Sequence, residues 1–176
     1  MKLASKIATL AFGLTAFSAA HASFNLDDMI ASGKANPYAG ASFSMMDNGF
    51  SANAIAAHVG TKLHPNVAAE VRLGIGMGDD NGWELDNYFA VLGKGIYALP
   101  NVHENLSVYG LAGLSRTAWS GSWDNGFWSW SASASQVSLA LGAGAEFAVT
   151  PQISVSAEYL MMGDFGAMTA AASYKF

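Results

Sequence analysis

The sequence predicts an all-β fold, an eight-stranded antiparallel up-and-down transmembrane β-barrel, on three observations. The first is strict alternation. In Val67–Met77, Val67, Ala69, Val71, Leu73, Ile75 and Met77 share one face, and Ala68, Glu70, Arg72, Gly74 and Gly76 share the other. Period-two alternation over such a length is the pattern of a strand. The aliphatic face fits lipid and the small and polar face fits a barrel interior. A soluble sandwich with its aliphatic faces turned inward is the competing reading of this strand alone. The second observation is an export signal. Met1–Ala22 carries Lys2 and Lys6, then an apolar run from Ile7 to Phe17, then Ala20-His21-Ala22, a small-x-small cleavage pattern. The third is composition. Hydrophobic residues make up 52% of the chain and charged residues 12%, about half the usual charged share. An exported chain this apolar, with no apolar run long enough for a spanning helix, satisfies its backbone in lipid by closing strands into a barrel.

Three segments are expected: a signal peptide over residues 1–22, a periplasmic leader over 23–36, and the barrel over 37–176. In the leader, Asn25 is placed to cap a short helix through Ala31 that ends at Gly33. A flexible leader fits equally well. The barrel strands follow in order, near Tyr38–Met45, Ala54–Leu63, Val67–Met77, Asn87–Leu99, Leu106–Ser115, Gln136–Phe147, Ile153–Met162 and Ala167–Phe176. Most match the ~9–11 residues that a tilted spanning strand needs. The sixth points Val137, Leu139, Leu141, Ala143, Ala145 and Phe147 outward and Gln136, Ser138, Gly142 and Glu146 inward. The eighth points Met168, Ala170, Ala172, Tyr174 and Phe176 outward and Thr169, Ala171, Ser173 and Lys175 inward. The fourth has apolar residues on both faces and is oriented by placing Lys94 inside.

Punctuation supports the count. Pro37, Pro65, Pro100 and Pro151 all fall at strand borders, where a residue without an N–H is tolerated. Short turns at His64–Asn66, Pro100–Asn105 and Thr150–Gln152 alternate with mostly longer connections at Asp47–Ser51, Gly78–Asp86 and Arg116–Ala134. Gly163–Gly166 is a short outer loop. Outer-membrane barrels have this asymmetry, with the short turns in the periplasm. Tyr97, Phe147, Tyr174 and Phe176 then mark the periplasmic rim, and Phe43 and Phe89 the opposite rim, as two aromatic girdles.

At this point the chain resembles the small eight-stranded outer-membrane barrels of Gram-negative bacteria: the OmpA transmembrane domain, OmpX, the Ail/Lom proteins and the opacity-type porin family. The resemblance covers nearly all of Pro37–Phe176. Its most specific element is the terminal strand, with Ala172, Tyr174 and Phe176 at alternate positions. In the family such a strand looks like the signal read by the outer-membrane assembly machinery, which makes Tyr174 and Phe176 the assembly residues. Tyr109-x-x-x-Gly113 is a softer match. The chain departs from OmpA in ending at the barrel, so a wall-anchoring role is not implied. Fold and place follow from the resemblance better than activity does.

The expected interior polar network is His58, Lys62, Glu70, Arg72, Lys94, Glu146, Glu158 and Lys175. Buried charges of this kind are paired or solvated. Glu70 with Lys94 is the pair expected from adjacent third and fourth strands. The network reads either as structural filling or as a gated ion path, and eight strands leave room for little more than side chains. The interior Gly, Ala and Ser residues leave space for water, enough for a narrow path but not for a broad pore.

Catalysis has little support. His64 and His103 fall in turns, and His58 points inward without a recognisable nucleophile motif. No metal-ligand cluster and no phosphate loop is visible, cysteine is absent, and no cofactor is expected. Removing Lys2 and Lys6 leaves six basic against thirteen acidic residues, a formal charge of −7, which disfavours nucleic acid.

The third outer loop, Thr117–Ala134, holds Trp119, Trp123, Phe127, Trp128 and Trp130, including four of the five tryptophans. Aromatic clusters mark interaction sites. Three readings stay open: the loop packs on itself over the barrel mouth, lies against lipopolysaccharide, or binds a host, phage or neighbouring protein. Asp47, Asp79, Asp80, Glu84 and Asp86 are either solvated loop charges or weak divalent-cation ligands. The expected partners are outer-membrane lipid and lipopolysaccharide, the assembly machinery, and a host or surface ligand at the outer loops. A monomer is expected. The leading function is envelope integrity, adhesion or ligand binding through the outer loops. The alternative is a narrow porin-like channel for ions or small solutes.

Overall fold

The structure is a computed structural model that describes residues 36–47, 51–77, 79–80, 83–124 and 129–176. The expected signal peptide and nearly all of the leader lie outside the described residues. Eight antiparallel strands form one sheet: β1 (Asn36–Asp47), β2 (Ser51–His64), β3 (Val67–Met77), β4 (Trp83–Ala98), β5 (Leu106–Asp124), β6 (Ser129–Ala148), β7 (Ile153–Met162) and β8 (Phe165–Lys175). Each pairs with its neighbours in sequence, β1 pairs with β8, and the β3–β4 ladder completes the circle. Closure leaves no sheet edge in the wall, as lipid requires. A two-residue strand at Asp79–Asp80 pairs with Trp83 and Glu84 above β3 and β4.

Side-chain burial is inverted relative to a soluble protein. Leu139 and Val137 are 68% and 66% exposed on the outer face, whereas Glu158 and Glu70 are 5% and 3% exposed inside. This selects the membrane barrel over the soluble sandwich, because exposed aliphatic walls and buried charges are stable only with lipid outside. Ile75 is a correction. It sits on the aliphatic face, as register partner of Ile55, yet is only 5% exposed. Alternation sets a side chain's direction, and its neighbours decide how much of it is covered.

The short turns are held by local bonds. Nδ1 of His64 accepts from the Asn66 N–H at 3.3 Å, and Nδ1 of His103 accepts from the Asn105 N–H at 3.2 Å. Both histidines thus act as turn acceptors. Oγ1 of Thr150 accepts from the Ile153 N–H at 2.9 Å and starts β7. Tyr97, Phe147, Tyr174 and Phe176 are exposed at this end, and Phe43 and Phe89 are exposed toward the other.

The largest departure from the sequence reading is the Thr117–Ala134 segment. It is mostly ladder: β5 and β6 stay paired from Leu106↔Phe147 to Asp124↔Ser129. The segment carries no proline and alternates small with large residues, so nothing in it stops strand pairing. Only residues 125–128 lie outside the described part.

Candidate functional site

Two regions can carry function, the lumen and the β5–β6 hairpin. The lumen is built by inward positions of all eight strands. Its rings have room because glycine faces them. Tyr38 lies over Gly60, Tyr88 over Gly74, and Tyr109 over Gly144, and each pair are direct register partners. A Cβ at any of the three glycines would collide with the facing ring. The absence of a side chain on one strand thus admits a tyrosine from the next.

The centre of the lumen holds Arg72 between two carboxylates. Its Nε bonds Oε1 of Glu70 at 2.5 Å, and its two terminal nitrogens bond Glu158, the Nη2–Oε2 pair at 3.0 Å. The Tyr38 hydroxyl donates to Glu70 at 2.8 Å and the Tyr109 hydroxyl to Glu158 at 2.8 Å. A guanidinium presents five donors in a plane, which suits two carboxylates at once. Ser44 and Thr169 share a hydroxyl bond at 2.8 Å.

Nearer the short turns, Lys94 bonds Glu146 at 2.9 Å and lies 3.8 Å from the Tyr109 ring centroid. Lys175 reaches the other oxygen of Glu146 at 3.1 Å. Lys62 also faces inward here, as register partner of Asn36 and Ala68, and among the described residues it has no ion pair. The expected Glu70–Lys94 pair is therefore corrected. Leu92 stands opposite Glu70, and Ala68 opposite Lys94. In so narrow a lumen long side chains reach past the adjacent strand to carboxylates beyond it.

The half of the lumen away from the short turns is apolar. Leu85, Leu160 and Met162 are fully buried, with Met46, Tyr88, Ala54 and Ala167 around them. A bulge at Asp86, between the register pairs Leu85↔Trp119 and Asn87↔Ala118, brings Leu85 as well as Tyr88 inward. Trp119 packs on this cluster and stacks on Phe165 at 4.7 Å, 19° from parallel. The expectation of an interior dominated by small and polar residues fails here. Inward aliphatic positions on β4, β7 and β1 lie at one level, which no single strand reveals.

His58 contacts Ser173, Nε2 to Oγ at 2.8 Å. Its Nδ1 is buried with no hydrogen-bond partner among the described residues, so no carboxylate orients the ring as hydrolase chemistry requires. No group of three metal-ligating side chains occurs among the described residues. Asp86 accepts from the Ser120 hydroxyl at 2.9 Å. The tyrosines at the carboxylates and Ser173 are site residues that sequence reasoning missed. Inward tyrosines facing glycines would have signalled the former, once register was known.

The hairpin rises above its neighbours. β5 is flanked by β4 as far as Gly121, but β7 stops at Met162, opposite Ala140. Ser129–Leu139 of β6 therefore extends about ten residues, on the order of 30 Å along the strand, past the end of β7. Trp123 and Trp130 are register partners within it. The side chains of Trp123, Phe127, Trp128 and Trp130 lie outside the described residues.

Residues 8–176 match the family model described as outer membrane protein beta-barrel domain. A comparison with curated protein sequences found no match. Among solved structures, the chain is similar to the N-terminal β-barrel of Pseudomonas aeruginosa OprF (TM-score 0.58, 13% identity, 81% of this chain and 98% of that one). It is similar to Ail, the attachment invasion locus protein of Yersinia pestis (0.54, 21%, 81% and 97%), a protein also solved with the heparin analogue sucrose octasulfate. Neisserial surface protein A matches at TM-score 0.51 with 19% identity, over 81% of this chain and 97% of that one. At these identities the likeness is one of fold.

Proposed function

Because the chain belongs to the outer membrane protein β-barrel family, we propose that it is a surface-interaction protein of the bacterial outer membrane, in which the barrel is a rigid mount for the β5–β6 hairpin. The observation that carries this reading is the hairpin itself. It continues as paired strand above the ends of β7 and β8, in a segment rich in tryptophan. Large aromatic residues on a rigid outer projection favour contact with a partner. The lumen weighs against the narrow channel, since buried Leu85, Leu160 and Met162 block its outer half. The lone His58–Ser173 contact weighs against catalysis. The protein acts as a monomer, inserted by way of its terminal strand with Tyr174 and Phe176.

The likeness to Ail supports a surface role but not its ligand chemistry. The outer segments here hold seven carboxylates, Asp47, Asp79, Asp80, Glu84, Asp86, Asp124 and Asp164, against Arg116 alone. A sulfated polyanion would be repelled. The test is adhesion of expressing cells to immobilised host-matrix protein and to heparin, with a hairpin-trimmed variant that rejoins Ser120 to Ser133 as the control. Matrix binding that disappears with the hairpin supports the proposal. Equal adhesion by cells with and without the protein would overturn it.

A further inference from the structure

The short-turn mouth of the lumen holds positive charge that nothing balances. Four charged side chains line it, one from each even-numbered strand: Lys62 on β2, Lys94 on β4, Glu146 on β6 and Lys175 on β8. Lys62 and Lys94 flank Ala68, which is register partner to both. Lys175 stands opposite Tyr38, the next inward position on β1 after Asn36, the partner of Lys62. Lys94 and Lys175 share Glu146, at 2.9 and 3.1 Å. Lys62 has Lys175, Glu146 and Lys94 as its charged neighbours and is itself half-buried. Glu104, in the turn between β4 and β5, is exposed and pairs with none of the three lysines among the described residues. Three cations thus meet one carboxylate. Ammonium groups held side by side at reduced dielectric repel one another, and an added anion relieves the repulsion.

The chain itself brings an acidic pair to this mouth. β1 begins at Asn36, beside Lys62, so the expected leader, which lies outside the described residues up to Ala35, joins the wall at the lysine cluster. The charged side chains of residues 23–35 are Asp27, Asp28 and Lys34. Lys34 is two residues from Asn36, so its connection alone keeps a further cation near the mouth. Asp28 is eight residues from Asn36, a reach of up to about 27 Å when extended. That is enough to cross an eight-stranded barrel, whose interior is only as wide as its own side chains require. Deeper in the lumen Tyr38, Arg72 and Tyr109 are buried and fill it, so a segment lies across the mouth and does not thread it. A single exposed ion pair holds a free ligand weakly. A short tether raises the effective concentration to the order of millimolar, at which a few such pairs suffice.

We propose that the lysine-lined mouth is a carboxylate-binding site, occupied by Asp27 and Asp28 of this chain's own leader, which crosses the short-turn end of the lumen from β1 toward β5. Lys62 is the principal partner, because Glu146 already neutralises part of the charge of Lys94 and Lys175. The site is remote from the β5–β6 hairpin and stands or falls independently of the surface role.

The chain contains no cysteine, so introduced cysteines report on one contact at a time. The test uses the full chain as cells process it, in nanodiscs of zwitterionic lipid, with Met29→Cys paired to one of two positions. Ser107→Cys faces the lumen on β5, beside Glu146 and four strands from β1. Val102→Cys is exposed in the β4–β5 turn. The expected result is intramolecular disulfide formation roughly ten-fold faster at position 107 than at position 102. Asp27→Asn/Asp28→Asn abolishes the preference, as does salt at about 1 M. These two substitutions lie outside the barrel wall, so the heat-dependent gel shift persists and misfolding does not account for the loss. Asp28→Lys also loses the preference, and Asp28→Lys/Lys62→Glu regains part of it. Equal rates at the two positions overturn the proposal, as does a preference that survives the asparagine variant. A disulfide-linked dimer in place of the intramolecular product overturns it too, because the leader then reaches a neighbouring copy.

Discussion

Arg72 on β3 and Glu158 on β7 stand four strands apart around the barrel, on opposite walls, and meet in a two-pronged ion pair across the lumen. Both side chains are nearly inaccessible. The pair ties the walls together at mid-height, and Glu70, Tyr38 and Tyr109 complete its hydrogen bonds.

Removing one member strands the others. Arg72→Leu leaves two buried carboxylates without a cation, a loss of about 3–5 kcal/mol. Glu158→Gln leaves Arg72 its Glu70 bond and costs less. Urea unfolding of the detergent-solubilised barrel checks the order. Equal midpoints for wild type and Arg72→Leu would show that the pair adds no stability.

Glycine substitutions separate by what faces them. Gly74→Ala pushes a methyl group into the buried Tyr88 ring and destabilises by about 1–3 kcal/mol. A Cβ at Gly95 meets nothing within 4 Å, so Gly95→Ala leaves the midpoint nearly unchanged. Shortening the ring in Gly74→Ala/Tyr88→Leu recovers part of the loss. Thermal unfolding of the three variants distinguishes a steric cause from a general intolerance of the wall.

The ion cluster near the short turns predicts an asymmetry. Glu146 is shared by Lys94 and Lys175, so Glu146→Gln leaves two cations uncompensated at once. Lys175 is 25% exposed, and Lys175→Gln costs no more than about 1 kcal/mol because solvent screens that pair. Heat-modifiability midpoints on gels give the comparison, with Glu146→Gln expected to open at clearly lower temperature.

The apolar half of the lumen predicts an electrically silent barrel. Wild-type protein in planar bilayers should show no discrete conductance steps, whereas the double variant Leu160→Gly/Met162→Gly should show small ones. Steps in wild type that vanish in Lys94→Met would reinstate the channel.

Strand order and the two faces of each strand are legible in the sequence, because a wall with lipid on one side writes its two faces as alternate letters. Val67–Met77 and Ile153–Met162 have the bounds that alternation assigns them. Proline and glycine placed the turns for local reasons that a sequence displays. The ends of β5 and β6 were hidden by the same logic. Tryptophan, serine and glycine read as loop, yet the cross-strand ladder held them in strand as far as Asp124 and Ser129.

The sequence by itself determined that this chain is a closed barrel, which way each strand's faces point, and which charges turn inward. Only the tertiary structure decided which charge meets which, that Leu85, Leu160 and Met162 fill the lumen away from the short turns, and that β6 outlasts β7. The reason is physical. Direction in or out is a property of one strand's period, whereas pairing across a narrow lumen depends on the register and stagger of all eight strands together.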